Sequence, residues 1–175
     1  MKSVITGGAG FIGSNLVDEL IRKNHKVIVL DNFSTGRWSN LHHHTRKNLK
    51  IIKVDISENK HLNKYFKNTD YVFHLAGLAD IVPSIETPIK YQQANVEGTI
   101  AVLEAARLAS CGRFIYTASS SCYGLPDQFP TPETAPIRPM YPYALTKNVG
   151  EQYVMHWAQL YKMPCVSLRL FNVYG

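Results

Sequence analysis

A tyrosine and a lysine four residues apart, with three serines upstream, form the segment best suited to acid–base chemistry. Tyr143 and Lys147 share one face of a predicted helix, because residues four apart in a helix are neighbours. A tyrosine alone is a poor base at neutral pH, since its ordinary pKa is about 10, and a nearby ammonium lowers that pKa. A hydroxyl of Ser119, Ser120 or Ser121 can orient a substrate alcohol. The set suits removal of a proton from an alcohol as that alcohol is oxidised.

A glycine-rich segment near the N-terminus has the features of a pyrophosphate-binding loop. It follows a predicted strand and opens a predicted helix, whose free N–H groups and positive dipole end attract an anion. Asp31 follows the second predicted strand, 18 residues beyond Gly13, near the spacing of an acid that binds a ribose 2′-hydroxyl. The combination favours a dinucleotide site over a purely structural turn. The predicted contacts in the loop are Gly7, Gly10, Phe11, Ile12 and Gly13.

Asp31 favours NAD over NADP as the dinucleotide. A carboxylate that binds the 2′-hydroxyl repels the 2′-phosphate of NADP. Arg37 and Arg46 are close to it in sequence and keep NADP as an alternative. A nicotinamide would take the hydride while Tyr143 takes the proton.

Further candidate contacts follow the third and fourth predicted strands, since ligands of doubly wound sheets bind beyond the carboxyl ends of strands. Asp55, with Ile56 after it, is predicted to meet the adenine edge, although Asp55 can equally cap a helix. Leu75, Ala76 and Gly77 are predicted to line the cofactor site.

The elements that must position these residues alternate between short apolar strands and amphipathic helices. This alternation predicts an α/β fold, a doubly wound parallel sheet (Rossmann fold) with right-handed crossovers. The predicted strands are residues 2–6, 26–30, 49–54, 71–75, 113–118 and 165–170. The predicted helices are residues 12–23, 91–109 and 143–161, and the proline-rich residues 125–142 are predicted to form a long functional loop.

Composition narrows the class of protein. The 175 residues are 45% hydrophobic and 18% charged, the balance of one folded domain. No apolar run is long enough for a membrane span, and no signal-peptide pattern precedes the first strand, so we predict a cytoplasmic protein without a membrane partner. The three cysteines lack CxxC spacing, which argues against a disulfide framework or a zinc ribbon.

Two charged features are interpreted as solvated surface. The net charge of +6 comes from scattered lysines, so we predict no nucleic-acid partner. His42, His43 and His44 have no cysteine or acid partner at ligand spacing, and we interpret them as a solvated loop rather than a metal site.

Seven segments carry the motifs of a known family in that family's order. They are residues 6–13, 31–32, 74–77, 95–99, 119–124, 143–147 and 168–175. On these motifs the chain resembles the extended short-chain dehydrogenase/reductase family, specifically its nucleotide-sugar epimerases and dehydratases.

The resemblance implies NAD as cofactor and a role for several residues. Ser119, Tyr143 and Lys147 would be catalytic, with Tyr143 as the base and Lys147 both tuning it and binding the nicotinamide ribose. The further residues implied beside the cofactor are Asn32, Asn95 and Phe171. The residues implied to contact a nucleoside-diphosphate sugar are Ser119, Ser120, Ser121, Tyr143 and Asn172.

Within the family, the residues after the catalytic Ser or Thr distinguish the reactions. The 4,6-dehydratases carry Asp-Glu there and the decarboxylases carry Glu at the second position, whereas this chain has Ser120 and Ser121. The resemblance therefore favours a 4-epimerase that inverts C4 through a transient 4-keto sugar. A dehydratase, a decarboxylase or a 4-keto reductase of the same family is the alternative, and a catalytically silent NAD-binding module is the alternative from another class.

The resemblance also implies how the molecule is organised. The family places most of its sugar-binding residues in a smaller C-terminal domain. We therefore expect residues 1–175 to be one NAD-binding domain, a fragment of a longer two-domain chain whose substrate domain is missing here. Relatives pair two helices from each subunit, so a homodimer is expected through residues 91–109 and 143–161.

Overall fold

The computed structural model describes residues 1–44, 47–58 and 61–175. Its six strands form one parallel sheet in the order β3-β2-β1-β4-β5-β6. The strands are β1 (Lys2–Thr6), β2 (Lys26–Asp31), β3 (Leu49–Lys53), β4 (Tyr71–His74), β5 (Arg113–Ser119) and β6 (Cys165–Leu170). The doubly wound α/β fold is confirmed, and each predicted strand end lies within one residue of the observed one.

The strand order reverses at β1, which pairs with β2 on one side and β4 on the other. Val4 lies opposite Ile28 in one ladder and Val72 in the other. All five pairings are parallel, so every strand presents its carboxyl end to the same edge. A ligand crevice is expected there, between the ends of β1 and β4.

Among the residues that the structure describes, six α-helices cover the sheet: α1 (Phe11–Arg22), α2 (Asn63–Phe66), α3 (Ile81–Glu86), α4 (Pro88–Gln92), α5 (Gly98–Leu108) and α6 (Pro142–Tyr161). Short 3-10 turns occur at Trp38–Asn40 and Ser120–Tyr123. None of the helices in the described ranges combines the length and the apolar character needed to cross a bilayer.

The predicted helix at residues 91–109 needed correction. The helical run starts at Pro88, a residue favoured at the first helical position, and a π-helical turn at Gln93–Glu97 separates α4 from α5. The Asn95 side chain, which lies in this turn, bonds to both backbone groups of Leu78. Because π-turns redirect a helix locally, the interruption brings Asn95 to the loop that follows β4.

Two apolar clusters hold the helices to the sheet. One contains Phe114 and Val72 of the sheet with Leu103 of α5, and the other packs Val17 of α1 against Ile5 of β1. Burial of each such side chain stabilises the fold by about 1.5–3 kcal/mol. Both sheet faces are covered, which explains why the strands are nearly continuous apolar runs.

The proline-rich segment is an irregular loop, as predicted, except that Pro142 already belongs to α6. The Arg138 N–H donates to the Cys122 carbonyl over 2.9 Å. Gly124 adopts φ +63°, and a Cβ there would lie 2.3 Å from the Arg138 carbonyl oxygen. A side chain at position 124 would therefore displace the loop from the end of β5.

Candidate active site

A cavity of about 290 Å³ opens at the carboxyl ends of β1, β2 and β4. Its position matches the crevice expected from the strand order. Twelve of the residues predicted to contact the cofactor line it: Gly7, Gly10, Phe11, Ile12, Gly13, Asp31, Asn32, Asp55, Ile56, Leu75, Ala76 and Gly77.

The glycine loop brings backbone close to this cavity. Gly7 has φ +71°, and a Cβ there would lie 2.6 Å from the backbone nitrogen of Ala76. A Cβ on Gly13 would lie 2.2 Å from the Gly7 carbonyl oxygen. Gly10 precedes α1 without a side-chain cap, and the first turn of α1 has no acidic residue. The first backbone N–H groups of α1 therefore remain available to an anion, which fits the pyrophosphate of a dinucleotide.

Asp31 is 7% exposed and organises the loop as well as facing the cavity. Its carboxylate accepts the Ala9 N–H at 2.9 Å through one oxygen and the Phe33 N–H at 2.8 Å through the other. Each oxygen keeps a second lone pair, which a ribose hydroxyl can use. Arg37, considered for NADP, is exposed, whereas Arg46 lies outside the described residues.

Asp55 forms a turn of its own instead of capping a helix. One carboxylate oxygen accepts the N–H of Ser57 at 2.9 Å and its O–H at 2.6 Å, and the other accepts Asn32 Nδ2 at 2.7 Å. Burial raises the pKa of Asp55, but the hydrogen bonds from Ser57 and Asn32 outweigh it and the pKa is lowered overall. The carboxylate therefore faces the cavity in its ionised form.

The residues predicted to be catalytic lie where β5 meets α6. Ser119 ends β5 and its Oγ accepts the Ser121 N–H at 3.2 Å. Tyr143 is half-buried in the first turn of α6, with its ring 6.5 Å from the Tyr91 ring. Lys147, one turn further along α6, is 6% exposed.

Lys147 reaches toward the cavity from α6. A Cβ on Gly77, which lines the cavity, would lie 3.9 Å from Lys147 Nζ. The ammonium also lies 4.5 Å from the centre of the Tyr116 ring, whose O–H donates to the Lys147 carbonyl at 3.1 Å. Burial lowers the pKa of Lys147 to about 8, and Glu151, one turn along α6, opposes that shift.

Glu151 links α6 to β6. Its carboxylate accepts Arg169 Nε at 3.0 Å and Ser167 Oγ at 2.9 Å. Arg169 also donates to the Tyr123 hydroxyl at 2.8 Å. The helix that carries Tyr143 and Lys147 is thus held at a fixed position along the sheet.

Several predicted residues lie apart from the cavity lining. Asn95 accepts the Leu78 N–H at 2.7 Å and donates to Thr146 Oγ1 at 3.0 Å, so it shapes the neighbouring loop. Phe171 is 62% exposed beyond β6, and Asn172 is exposed beside it. Ser120 and Ser121 are half-buried in the 3-10 turn.

The cavity has further lining residues that sequence reasoning missed: Leu30, Ser34, Thr35, Val54, Leu78, Ala94 and Thr117. Ser34 and Thr35 follow Asp31 closely enough that a turn after β2 could have indicated them. Ala94 lies in the π-helical turn and Leu78 bonds to Asn95 of that turn, for which the sequence carries no clear signal.

The expectation that the histidine run has no acid partner was wrong for His43 and His44, although His43 is exposed as expected of a solvated loop. Asp18 of α1 lies 3.1 Å from His43 Nε2 and 2.5 Å from His44 Nε2. The acid partner comes from a helix more than twenty residues earlier, so spacing within the run could not reveal it.

Comparison with known proteins assigns the chain to a family. Residues 3–175 match the NAD dependent epimerase/dehydratase family. The UDP-glucose 4-epimerase of Mycolicibacterium smegmatis is 39% identical over 179 residues, which cover 100% of this chain and 57% of that protein. The chain thus spans a little over half the length of that relative.

Two solved structures resemble the fold closely. The UDP-N-acetylglucosamine 4-epimerase of Methanobrevibacter ruminantium, in complex with UDP-N-acetylmuramic acid, superposes with a TM-score of 0.95 at 38% identity, covering 99% of this chain and 56% of that one. The UDP-glucose 4-epimerase of Thermus thermophilus, in complex with NAD, gives a TM-score of 0.91 at 34% identity, covering 100% and 56%. With its Rossmann sheet, its glycine loop and this match, the chain belongs to the NAD-dependent epimerase/dehydratase family, a family whose cofactor is NAD.

Proposed function

We propose that this chain binds NAD and the reacting sugar of a nucleoside-diphosphate sugar, and that the protein containing it inverts the sugar at C4. The observation that carries the proposal is the position of Lys147 Nζ beside cavity-lining Gly77, with Tyr143 one helical turn away on α6. Ser119 stands at the end of the neighbouring strand β5. These positions support a base, a cation and a hydroxyl acting together beside the crevice.

The residues of the chain divide the proton chemistry between them. Tyr143 removes the proton of the C4 hydroxyl, and the positive charge of Lys147 stabilises the phenolate that performs this removal. Ser119 orients the same hydroxyl by hydrogen bonding. When bound, NAD would supply a hydride acceptor that returns the hydride to the opposite face of C4 once the 4-keto sugar has turned in the site. Tyr143 then gives its proton back to the C4 oxygen, so C4 is inverted without net oxidation.

The pKa of Lys147 suits this role. With the pKa at about 8, most of the side chain is protonated at neutral pH, although it is buried. A buried ammonium acts in a low dielectric, where its effect on a neighbouring phenol is stronger than in water. The positive charge that the proposal requires of Lys147 is therefore present at neutral pH.

The epimerase proposal ranks above its alternatives for two reasons. Ser120 and Ser121 offer no carboxylate for the acid–base steps of a dehydratase or decarboxylase. A silent binding module has no need of Ser119, Tyr143 and Lys147 together. The names of the relatives support a UDP-linked hexose such as UDP-glucose or UDP-N-acetylglucosamine.

The organisation of the whole protein belongs to the same proposal. Relatives are nearly twice as long as the chain, which supports residues 1–175 as one NAD-binding domain and a sugar-binding contribution from elsewhere. Helix α6 exposes Leu145, Met155 and Leu160, which supports a homodimer through this helix. A cytoplasmic location stays a prediction.

The deciding experiment replaces Tyr143 by Phe in the full natural protein. We expect NAD still to be released on denaturation, while C4 epimerisation of UDP-glucose or UDP-N-acetylglucosamine falls by about a hundredfold or more. Tyr161→Phe, at the last residue of the same helix, is the matched control and should keep full turnover. Retained turnover in Tyr143→Phe would refute the assignment of the base. Net production or consumption of NADH would instead point to the reductase alternative.

A further inference from the structure

Three potential metal ligands meet on the surface, and none of them lines the cavity of the proposed active site. Asp18 belongs to α1, and His43 and His44 follow the 3-10 turn Trp38–Asn40. Both imidazole Nε2 atoms approach the same Asp18 oxygen, at 3.1 Å and 2.5 Å. The three ligand atoms lie within 4.8 Å of one another.

The 3.1 Å separation is close to the spacing of ligand atoms in a transition-metal site, whereas the 2.5 Å separation would have to widen by about 0.8 Å on metal binding. Zinc binds imidazole nitrogen and carboxylate oxygen at about 2.0–2.2 Å, so neighbouring ligand atoms of a tetrahedral site are about 3.3 Å apart. The side chains of His43 and Asp18 are 50% and 47% exposed, whereas His44 is only 12% exposed. One ligand is therefore fixed by packing, and the open side leaves room for water as a fourth ligand.

Hydrogen bonding can satisfy these three groups, because one carboxylate oxygen accepts up to two N–H donors, but the same geometry also suits a cation. A neutral imidazole donates one N–H, and both histidines direct Nε2 to one oxygen of a single carboxylate. A cation between the three atoms would be bound by both nitrogens and by the carboxylate at once. Imidazole with carboxylate is a donor set suited to Zn²⁺, and also to Ni²⁺ and Cu²⁺.

We propose that Asp18, His43 and His44 form a zinc-binding site that fastens the segment after β2 to helix α1. This site is separate from the proposed catalysis and does not depend on it. Its effect is structural, because zinc with three protein ligands links two parts of the chain that the sequence separates.

The link would act next to the glycine loop. The Arg37 N–H and Asn40 Nδ2 both donate to the Ala9 carbonyl, at 3.0 Å and 2.8 Å. The segment that carries His43 and His44 therefore lies directly on the loop from which α1 starts. Zinc bound between His44 and Asp18 would close this segment around Ala9, and we expect it to raise the temperature of thermal unfolding.

The test is calorimetric titration of the metal-stripped natural protein with ZnCl₂. We expect one equivalent to bind, and expect Asp18→Asn and His44→Ala each to weaken binding by at least about tenfold. His42→Ala is the matched control, since His42 Nδ1 contacts the Ser39 carbonyl instead of Asp18. It should leave the zinc affinity unchanged.

Two outcomes would overturn the proposal. If Asp18→Asn binds zinc as tightly as the natural protein, the metal is held by an unstructured histidine run and not by the site. If the natural protein takes up no zinc, the cluster serves only for hydrogen bonding. Asp18 is exposed and contributes nothing to either apolar cluster, so Asp18→Asn is expected to fold, and a circular dichroism spectrum verifies this.

Discussion

At the scale of single residues, Lys147 is a charged side chain that is almost completely buried. Its pKa falls from 10.5 to about 8 because burial disfavours the ammonium. Between these two values the unfolded chain binds more protons than the folded protein, so the contribution of Lys147 to stability increases as the pH rises from about 8 toward 10.5. Below pH 8 the buried charge is a cost that the proposed chemistry requires.

Lys147→Met should therefore separate stability from activity. We expect its free energy of unfolding at pH 7 to equal or exceed that of the natural protein, with the difference shrinking toward pH 10, while epimerisation is lost. Urea unfolding at both pH values measures this. Lys90→Met, at an exposed position of α4, should show neither effect. A large loss of stability at pH 7 would instead show that the Lys147 ammonium stabilises the fold.

His74 is a second buried titratable group with a large shift in pKa, and it acts in the acid range. Its Nδ1 lies 2.6 Å from Thr6 Oγ1 and its Nε2 lies 2.8 Å from Thr99 Oγ1, so the ring joins β4 to β1 and α5. Burial lowers its pKa from 6.5 to about 3, with the Lys147 charge adding to the effect. Below pH 6.5 the His74 side chain is protonated in the unfolded chain, whereas in the folded protein it stays neutral down to about pH 3.

The free energy of unfolding should accordingly decrease as the pH falls from 6.5 toward about 3. His74 alone accounts for a loss of about 3 kcal/mol at pH 4. We expect His74→Gln to reduce that slope, whatever its effect at pH 7. Guanidinium unfolding at pH 7 and pH 4 provides the comparison. His156→Gln, on the exposed side of α6, should keep the natural slope. An unchanged slope in His74→Gln would assign the acid sensitivity to other groups.

At the scale of elements, the approach of α6 to β5 depends on one glycine. A Cβ at Gly150 would lie 2.4 Å from the Tyr116 hydroxyl and 3.2 Å from the Asn95 carbonyl oxygen. Helix propensity alone favours alanine over glycine by about 1 kcal/mol, so the two effects have opposite signs. The overlap dominates, because the neighbouring atoms belong to a buried ring and to backbone.

Gly150→Ala should destabilise the protein by about 1–3 kcal/mol and lower turnover, since Lys147 lies on the same helix. Thermal unfolding and epimerase assays give the two readouts. Tyr116→Phe removes the oxygen nearest to the new Cβ, so the double variant should recover part of the stability. Additive losses in the double variant would contradict the overlap as the cause.

The elements also show how far sequence reasoning extends. The strands were predictable because both sheet faces are covered, so each strand is a short apolar run between polar turns. The π-helical turn at Gln93–Glu97 was not, because it depends on Asn95 bonding to Leu78 across a loop. The short helices α2, α3 and α4 are four to six residues long, too short for a helical period to emerge.

At the scale of the whole molecule, we expect the cavity to bind NAD in preference to NADP. Asp31 faces the cavity beside the helix N-terminus, and its carboxylate repels a 2′-phosphate. NAD added to cofactor-free protein is expected to raise the temperature of thermal unfolding more than NADP at the same concentration. Equal shifts, or a larger one with NADP, would mean that Arg37 or Arg46 decides the selection.

At this scale too, part of the candidate site could be predicted from the sequence and part could not. The glycine loop, Asp31, Asp55 and residues 75–77 were predictable, since each follows a strand end and all strand ends share one edge. The meeting of Asp18 with His43 and His44 was not, because it depends on how the segment after β2 folds back across α1.

The central place of β1 has a consequence for synthesis on the ribosome. Chains grow at roughly 5–20 residues per second, so β1 and β2 exist for seconds before β4 is made. During that interval one edge of β1 has no neighbour, because its partner there is Tyr71–His74. An unpaired apolar strand edge is a site where chains aggregate. The nascent protein is therefore exposed to chaperones and to misassembly until β4 has left the ribosome and paired with β1, and substitutions that slow translation of residues 32–70 should lower the soluble yield without altering the finished fold.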